Sequence, residues 1–179
     1  MNLIDEYIIS FNGLDTGEYN FDFKVRDEFF SYFEKSEILG GNFDVDVILI
    51  KNSNSLELDI HLVGDVRIPC DRCLDEVTEE IDFEDKIIVE FGDETNFDTN
   101  TDYVTLERGK QEINISQFIY EFAHFALPLS RMHKDDEHGH STCNPKMLQI
   151  LEDLKPKENK DPDIRWAKLQ EIKNNNNFN

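Results

Sequence analysis

Four stretches of this chain alternate apolar and polar residues with a period of two, and that period commits much of its first half to β-sheet. Tyr19, Phe21, Phe23 and Val25 are separated by Asn20, Asp22 and Lys24. Phe43, Val45, Val47 and Leu49 alternate next, followed by Leu56, Leu58, Ile60 and Leu62 after an Asn52-Ser53-Asn54-Ser55 turn. Between Val77 and Phe91, the apolar Ile81, Phe83, Ile87, Val89 and Phe91 are separated mostly by acids. Successive side chains of a strand point to opposite faces, so each stretch has one face to bury and one to leave in water. The second and third stretches read as a hairpin.

The rest of the chain fills in around these strands. Asp5 to Phe11 reads as a further strand ended by the Asn12-Gly13 turn. Asp27 is placed to cap a short helix that turns Phe29, Phe30 and Phe33 to the core and ends at Gly40-Gly41. Gly92 to Asp102 has no apolar period and reads as a loop, and Tyr103 to Leu106 as one short strand. The period then becomes helical. Asn114 or Ser116 can cap a helix carrying Phe118, Ile119, Phe122, Phe125 and Ala126, which Leu127-Pro128 stops. A second helix is predicted from Asn144-Pro145 with Met147, Leu148 and Leu151 on one side. A last one follows Asp161-Pro162 with Ile164, Leu169 and Ile172, and Trp166 nearby. Strands followed by helices predict an α+β domain around a mainly antiparallel, curled or barrel-like sheet, with helices toward the C-terminus.

Charge gives the domain plan. The formal net charge is -21, and the 36 residues from Asn144 onward hold seven basic and six acidic side chains, so the acids are concentrated upstream. We therefore expect an acidic α+β domain over 1–154 and, over 155–179, a linker, a short helix and a tail ending in Asn174-Asn175-Asn176-Asn177. Such an acidic body argues against gaining affinity by neutralising nucleic-acid phosphates, and points to a basic partner. No run approaches the roughly 18 to 20 apolar residues of a membrane helix, and the first residues have no signal-peptide pattern, so the expected address is the cytoplasm.

The chemistry-bearing residues are few. Two of the three cysteines form Cys70-Asp71-Arg72-Cys73 between two strands. A C-x-x-C turn can aim two sulfurs at one point, which is half of a tetrahedral metal site. Cys143 lies 70 residues later, just past a run that holds His133, His138 and His140. Any of these histidines can supply a fourth donor. Ordinary reduced thiols, or a redox dithiol, are the competing readings, although a redox pair would normally open a helix after a buried strand. His61 and His124 stand alone and read as packing or surface residues. The chain has no G-x-S-x-G, P-loop, G-x-G-x-x-G or H-E-x-x-H motif, so no enzyme or small-molecule substrate is expected.

Taken together, Val66 to Leu74 with its C-x-R-C-L ending, the Asn114 to Glu121 helix leading to Ala126-Leu127-Pro128-Leu129, the His133 to Cys143 segment and Asp161-Pro162-Asp163-Ile164-Arg165-Trp166 resemble the YceD family of large ribosomal RNA subunit accumulation proteins of bacteria and plastids. The resemblance spans about Val66 to Leu169. It implies a non-enzymatic role in accumulation or processing of large-subunit ribosomal RNA, and adds weight to one structural zinc held by Cys70, Cys73, Cys143 and a histidine, His133 by its place after the Leu-Pro segment, with His138 and His140 as alternatives. The charge makes a basic ribosomal protein or assembly factor the expected partner. Direct RNA contact through Arg72, Arg165, Trp166 and Lys168, with Arg67 and Lys173, is the alternative.

Overall fold

The computed structural model of the protein describes residues 3–97 and 104–155. Tyr103, the segment after Lys155 and the helix expected around Arg165, Trp166, Lys168 and Lys173 lie outside the described residues. All four alternating stretches are strands: β2 (Gly17–Val25), β3 (Gly40–Lys51), β4 (Ser55–Pro69) and β5 (Glu76–Gly92) follow a short β1 (Ile8–Ser10). They pair antiparallel in sequence order, and β6 (Val104–Glu107) joins β5 to give a sheet ordered β2-β3-β4-β5-β6. Among the described residues β2 and β6 remain edges, so the sheet is open and the barrel-like expectation is not met.

The two-residue period decides which face is buried. Val45, Val47 and Leu49 of β3 and Leu56, Leu58, Ile60 and Leu62 of β4 are all 1% exposed or less. Against this inner face pack α1 (Asp27–Phe30) and α2 (Ser116–Phe125). Their rings meet those of the strands: Phe30 lies 6.1 Å from Phe43, and Phe122 lies 5.5 Å from Phe83 in an edge-on contact. A chain of aromatic contacts through Tyr7, Phe29 and Phe33 ends on Tyr120, whose ring stacks on Phe33 at 3.9 Å. Aromatic rings thus make much of the contact between helices and sheet.

Several local expectations are corrected. Residues Leu3–Tyr7 form a 3-10 helix, so only Ile8–Ser10 of the expected N-terminal strand is extended, and it pairs with a further strand, β7 (Glu112–Asn114), that no sequence pattern announces. Three residues are too short to show a period, and they are held by their partner. β6 runs parallel to β5 in an otherwise antiparallel sheet. Asp27 is not a cap: Arg26 holds that position, and the Asp27 carboxylate accepts from the Gly41 N–H (2.9 Å) and pairs with Arg67 (2.8 Å), tying α1 to β3 and β4. Gly40-Gly41 opens β3 and does not end α1. Glycine is required at 41, where a Cβ would lie 2.7 Å from the Asp65 carbonyl oxygen of the paired strand. At the start of α2 Ile115 holds the cap position, so neither Asn114 nor Ser116 is the cap, and the Asn114 side chain accepts the Ser116 N–H (2.9 Å) from one residue earlier.

Chain contacts divide at Asn144/Pro145 into two compact units. The second contributes α3 (Pro145–Asp153), which begins where the Asn144-Pro145 signal predicts and has no buried side chain. Among the described residues no helix is long and apolar enough to cross a membrane.

The β3–β4 pairing has one intolerant point. A Cβ on Gly64 would sit 2.4 Å from the Asn42 carbonyl oxygen and 2.5 Å from Phe43 Cα. Both obstacles are tied to backbone, so the strands would have to separate. Gly64→Ala is expected to cost about 2 kcal/mol and to lower the melting temperature by about 5 °C, measured by calorimetry.

Candidate metal centre

The register of β4 against β5 pairs Pro69 with Glu76, which makes Cys70 to Asp75 the turn of that hairpin. The turn is closed by backbone bonds from the Cys70 N–H to the Asp75 carbonyl (2.8 Å) and from the Leu74 N–H to the Cys70 carbonyl (2.9 Å). Leu74 adopts the left-handed conformation, φ 63°, that lets the chain reverse. Both sulfurs are then directed to the same side, and Cys70 and Cys73 are buried.

The distant half arrives along the segment after α2. Asp71 and Arg131 bind each other reciprocally: the Asp71 N–H donates to the Arg131 carbonyl (2.7 Å), and the Arg131 N–H donates to the Asp71 carboxylate (2.8 Å). Two residues later His133 reaches the turn. Its Nε2 lies 3.1 Å from the Glu76 carbonyl oxygen, which can only accept, so Nε2 carries the proton and Nδ1 faces the sulfurs. The chain then makes an excursion and returns. Asp135 and Ser141 form a β-bridge, the Thr142 hydroxyl donates to the Lys134 carbonyl (2.7 Å), and Cys143 comes back beside His133.

That excursion separates the three histidines. The Asp136 carboxylate accepts the backbone N–H groups of His138 (2.9 Å) and His140 (2.7 Å), building a tight exposed tip. These bonds, that from His140 foremost, hold the Asp136 carboxyl below its usual range. His138 and His140 sit on the tip, with His140 Nδ1 3.3 Å from Asp136, and His133 is the histidine at the cysteines.

One ligand atom from each of Cys70, Cys73, His133 and Cys143 lies within 4.8 Å of all the others. Cys70 and Cys143 Sγ are 3.8 Å apart, Cys73 Sγ is 3.5 Å from His133 Nδ1, and Cys143 Sγ is 3.8 Å from the same nitrogen. In a tetrahedron with metal–sulfur bonds of about 2.3 Å and a metal–nitrogen bond of about 2.0 Å, sulfur–sulfur edges are about 3.8 Å and sulfur–nitrogen edges about 3.5 Å. The four residues therefore have the spacing of a closed tetrahedral N/S site. All three cysteines are free thiols.

The electrostatics suit a cation. Burial works against ionising Cys70, but the backbone N–H groups of Cys73, Arg72 and His133 and the His133 ring outweigh it, and the thiol falls to about 6. At Cys73 burial dominates and pushes the thiol up, with the neighbouring sulfurs acting in the same direction. The His133 pKa is raised, chiefly by its hydrogen bonds to the Cys70 and Cys143 sulfurs. Three thiols crowded this closely cannot all ionise cheaply unless a positive charge sits among them.

Arg72 lies within this site and does not project from it. Its guanidinium donates to the Ser141 hydroxyl (2.9 Å) and to Met132 Sδ (3.4 Å), bracing the returning segment. Arg67 is engaged by Asp27 and, at 3.6 Å, by Glu76. His61 pairs with Asp82 on the solvent face and His124 bonds the Tyr120 carbonyl, so neither joins the cluster. The Asp71–Arg131 clasp and the Glu76 carbonyl were not found from sequence. A backbone acceptor leaves no mark on residue identity, and Asp71 was one of 39 acids.

Comparison with known proteins adds a family. Neither the curated proteins nor the solved structures gave a match. Residues 58–173 match the sequence profile of the large ribosomal RNA subunit accumulation protein YceD. That span is well over half of the chain and takes in Cys70, Cys73, His133 and Cys143. On this match, with the C-x-R-C-L turn and the segments after it in the order the resemblance required, the chain belongs to the YceD family.

Proposed function

We propose that this protein is a non-enzymatic ribosome-assembly factor that supports accumulation or processing of large-subunit ribosomal RNA, acting in the cytoplasm through a basic protein partner. The family match carries the ribosomal part of this reading. The charge of -21 supports the partner's class, since an acidic body gains little from RNA phosphates and much from lysine and arginine. Arg72, one of the cations an RNA-binding reading needs, has both terminal nitrogens engaged within the chain, by Ser141 and Met132. The test is depletion of the protein and rescue with the wild-type chain. Mature large-subunit RNA is expected to fall relative to small-subunit RNA and to be restored by the rescue, read on a denaturing gel; an unchanged ratio overturns the ribosomal role.

Within that role, Cys70, Cys73, His133 and Cys143 hold one zinc ion whose job is structural. Three sulfurs and an imidazole are a donor set that suits zinc, and four protein ligands leave no position for a substrate or an activated water. A metal there closes a loop of some 70 residues and joins the β4–β5 turn to the segment after α2, so its binding energy adds to folding stability. Cys73→Ser is expected to lose the zinc and to lower the melting temperature by on the order of 10 °C. Metal content by mass spectrometry and calorimetry on untagged protein check both, and chelation of the wild type should reproduce the shift.

The histidines provide a sharper check. His133→Ala is expected to abolish stoichiometric zinc, whereas a His138→Ala/His140→Ala double variant keeps about one zinc per chain. Zinc retained by His133→Ala and lost by the double variant would move the fourth ligand to the excursion's tip.

A further inference from the structure

The outer face of the five-stranded sheet is bare of any described helix, and its chemistry is unlike that of an ordinary solvated sheet. The registers place Asp22 directly opposite Asp46, Asp46 opposite His61, and His61 opposite Glu84. One row across the strands thus reads Asp, Asp, His, Glu at steps of about 4.8 Å. Of these pairs Asp22–Asp46 sets like charges directly opposite each other, an arrangement that destabilises a strand pair. In the rows that flank this one the chain balances its charges: Lys86, two residues along β5 from Glu84, lies 3.3 Å from both Glu57 and Asp59, and Lys24, two along β2 from Asp22, lies 2.9 Å from Asp44. Among the described residues no cation forms an ion pair with Asp22, Asp46 or Glu84.

The same face exposes apolar side chains at outward positions. Ile48, Val63 and Ile88 are 37%, 45% and 44% exposed. Ile48 lies two residues along β3 from Asp46, and Ile88 lies four along β5 from Glu84 with the paired Lys86 between them, so apolar side chains share the face of the acidic row. Both features are inherited from the strand registers that bury the core, which makes this a rigid surface needing little reordering to bind.

We propose that this face is the docking surface for a lysine- and arginine-rich segment of a protein partner, whose cations lie on the Asp22–Asp46–Glu84 row and whose apolar side chains cover Ile48 and Ile88. The assignment rests on the ribosome-assembly reading above and names where that reading's partner sits. Charge complementarity selects the occupant. A second copy of this chain would bring its own acidic row against the first, and RNA would bring phosphates, so both are repelled.

The test uses the full chain and a defined probe, a 12-residue peptide of alternating lysine and leucine, with binding measured by calorimetry at 50 and 300 mM salt. Asp22→Asn/Asp46→Asn/Glu84→Gln is expected to weaken binding about tenfold at low salt and to flatten its salt dependence. Ile48→Thr/Ile88→Thr leaves the charge unaltered and is expected to weaken it several-fold, while Asp15→Asn/Asp93→Asn/Glu94→Gln, three exposed acids elsewhere, retains wild-type affinity. Equal losses in the two acid-neutralised variants would mean attraction by net charge alone and would overturn the assignment. So would unchanged binding in the outer-face variants, or wild-type protein that retains a large-subunit RNA fragment but not the peptide. Rescue of ribosomal RNA levels in depleted cells is scored separately. Failed rescue by the outer-face variants, at normal melting temperature, supports the face. A variant that loses the peptide yet restores RNA levels fully removes this face from the function and leaves the ribosomal role standing.

Discussion

The antiparallel pairing of β4 with β5 is the constraint on which the rest depends. Fifteen register pairs, from Ser55–Glu90 to Pro69–Glu76, hold one alternation against the other. A slip of one residue would turn Leu58, Ile60 and Leu62 to water and their acidic neighbours to the core, so the register is fixed by burial along its whole length. It also fixes what happens at its end: with Pro69 opposite Glu76, Cys70 and Cys73 must fall in the reversal, held by the Cys70–Asp75 and Leu74–Cys70 backbone bonds. Core packing and the placement of two thiols are one decision of the chain.

The second pair of donors is brought in differently, by polar contacts with no apolar period behind them. The Asp71–Arg131 clasp sets the height of the returning segment, the Glu76 carbonyl sets the tautomer and direction of His133, and the Asp135–Ser141 bridge removes the intervening residues so that Cys143 returns to its neighbour. Each bond alone is worth about 1 kcal/mol, little against the entropy of ordering a long excursion. A cation bound by four donors would supply what these bonds lack, and this is why a structural role fits the centre better than a catalytic one.

What was legible in the sequence follows this division. Period-two stretches with one buried face announced β2 to β5, and the Asn114 and Pro145 signals announced α2 and α3, because in each the local pattern and the tertiary burial agree. β1 and β7 were not legible as a pair: three residues each, stabilised by one another across some 100 positions, they carry no pattern of their own. Asp27 was misread because an acid at a helix start has two uses, and its partners Gly41 and Arg67 are distant in sequence. The four donors were nameable from C-x-x-C, Cys143 and the histidines, but the choice of His133 rested on a resemblance, since three histidines within eight residues are equivalent until the Asp136 turn separates them.

The outer sheet face shows the limit of reading one face at a time. Acids between apolar residues are the ordinary mark of solvated positions, and within a single strand Asp22, Asp46 or Glu84 says no more than that. Only the cross-strand register sets Asp22 against Asp46 and lines them up with His61 and Glu84, and only then does the lack of an ion pair to these acids, among the described residues, differ from the balanced arrangement around Lys86. Neutral or mixed residues at these positions would keep the inner face, the β4–β5 register and the thiol-bearing turn unchanged, so nothing in the fold demands the repulsion. A feature that opposes folding and that folding does not need points outside the molecule for its cause. Asp22 and Asp46 meet that description, and the lysine- and arginine-rich partner proposed above carries the charge that would relieve their repulsion.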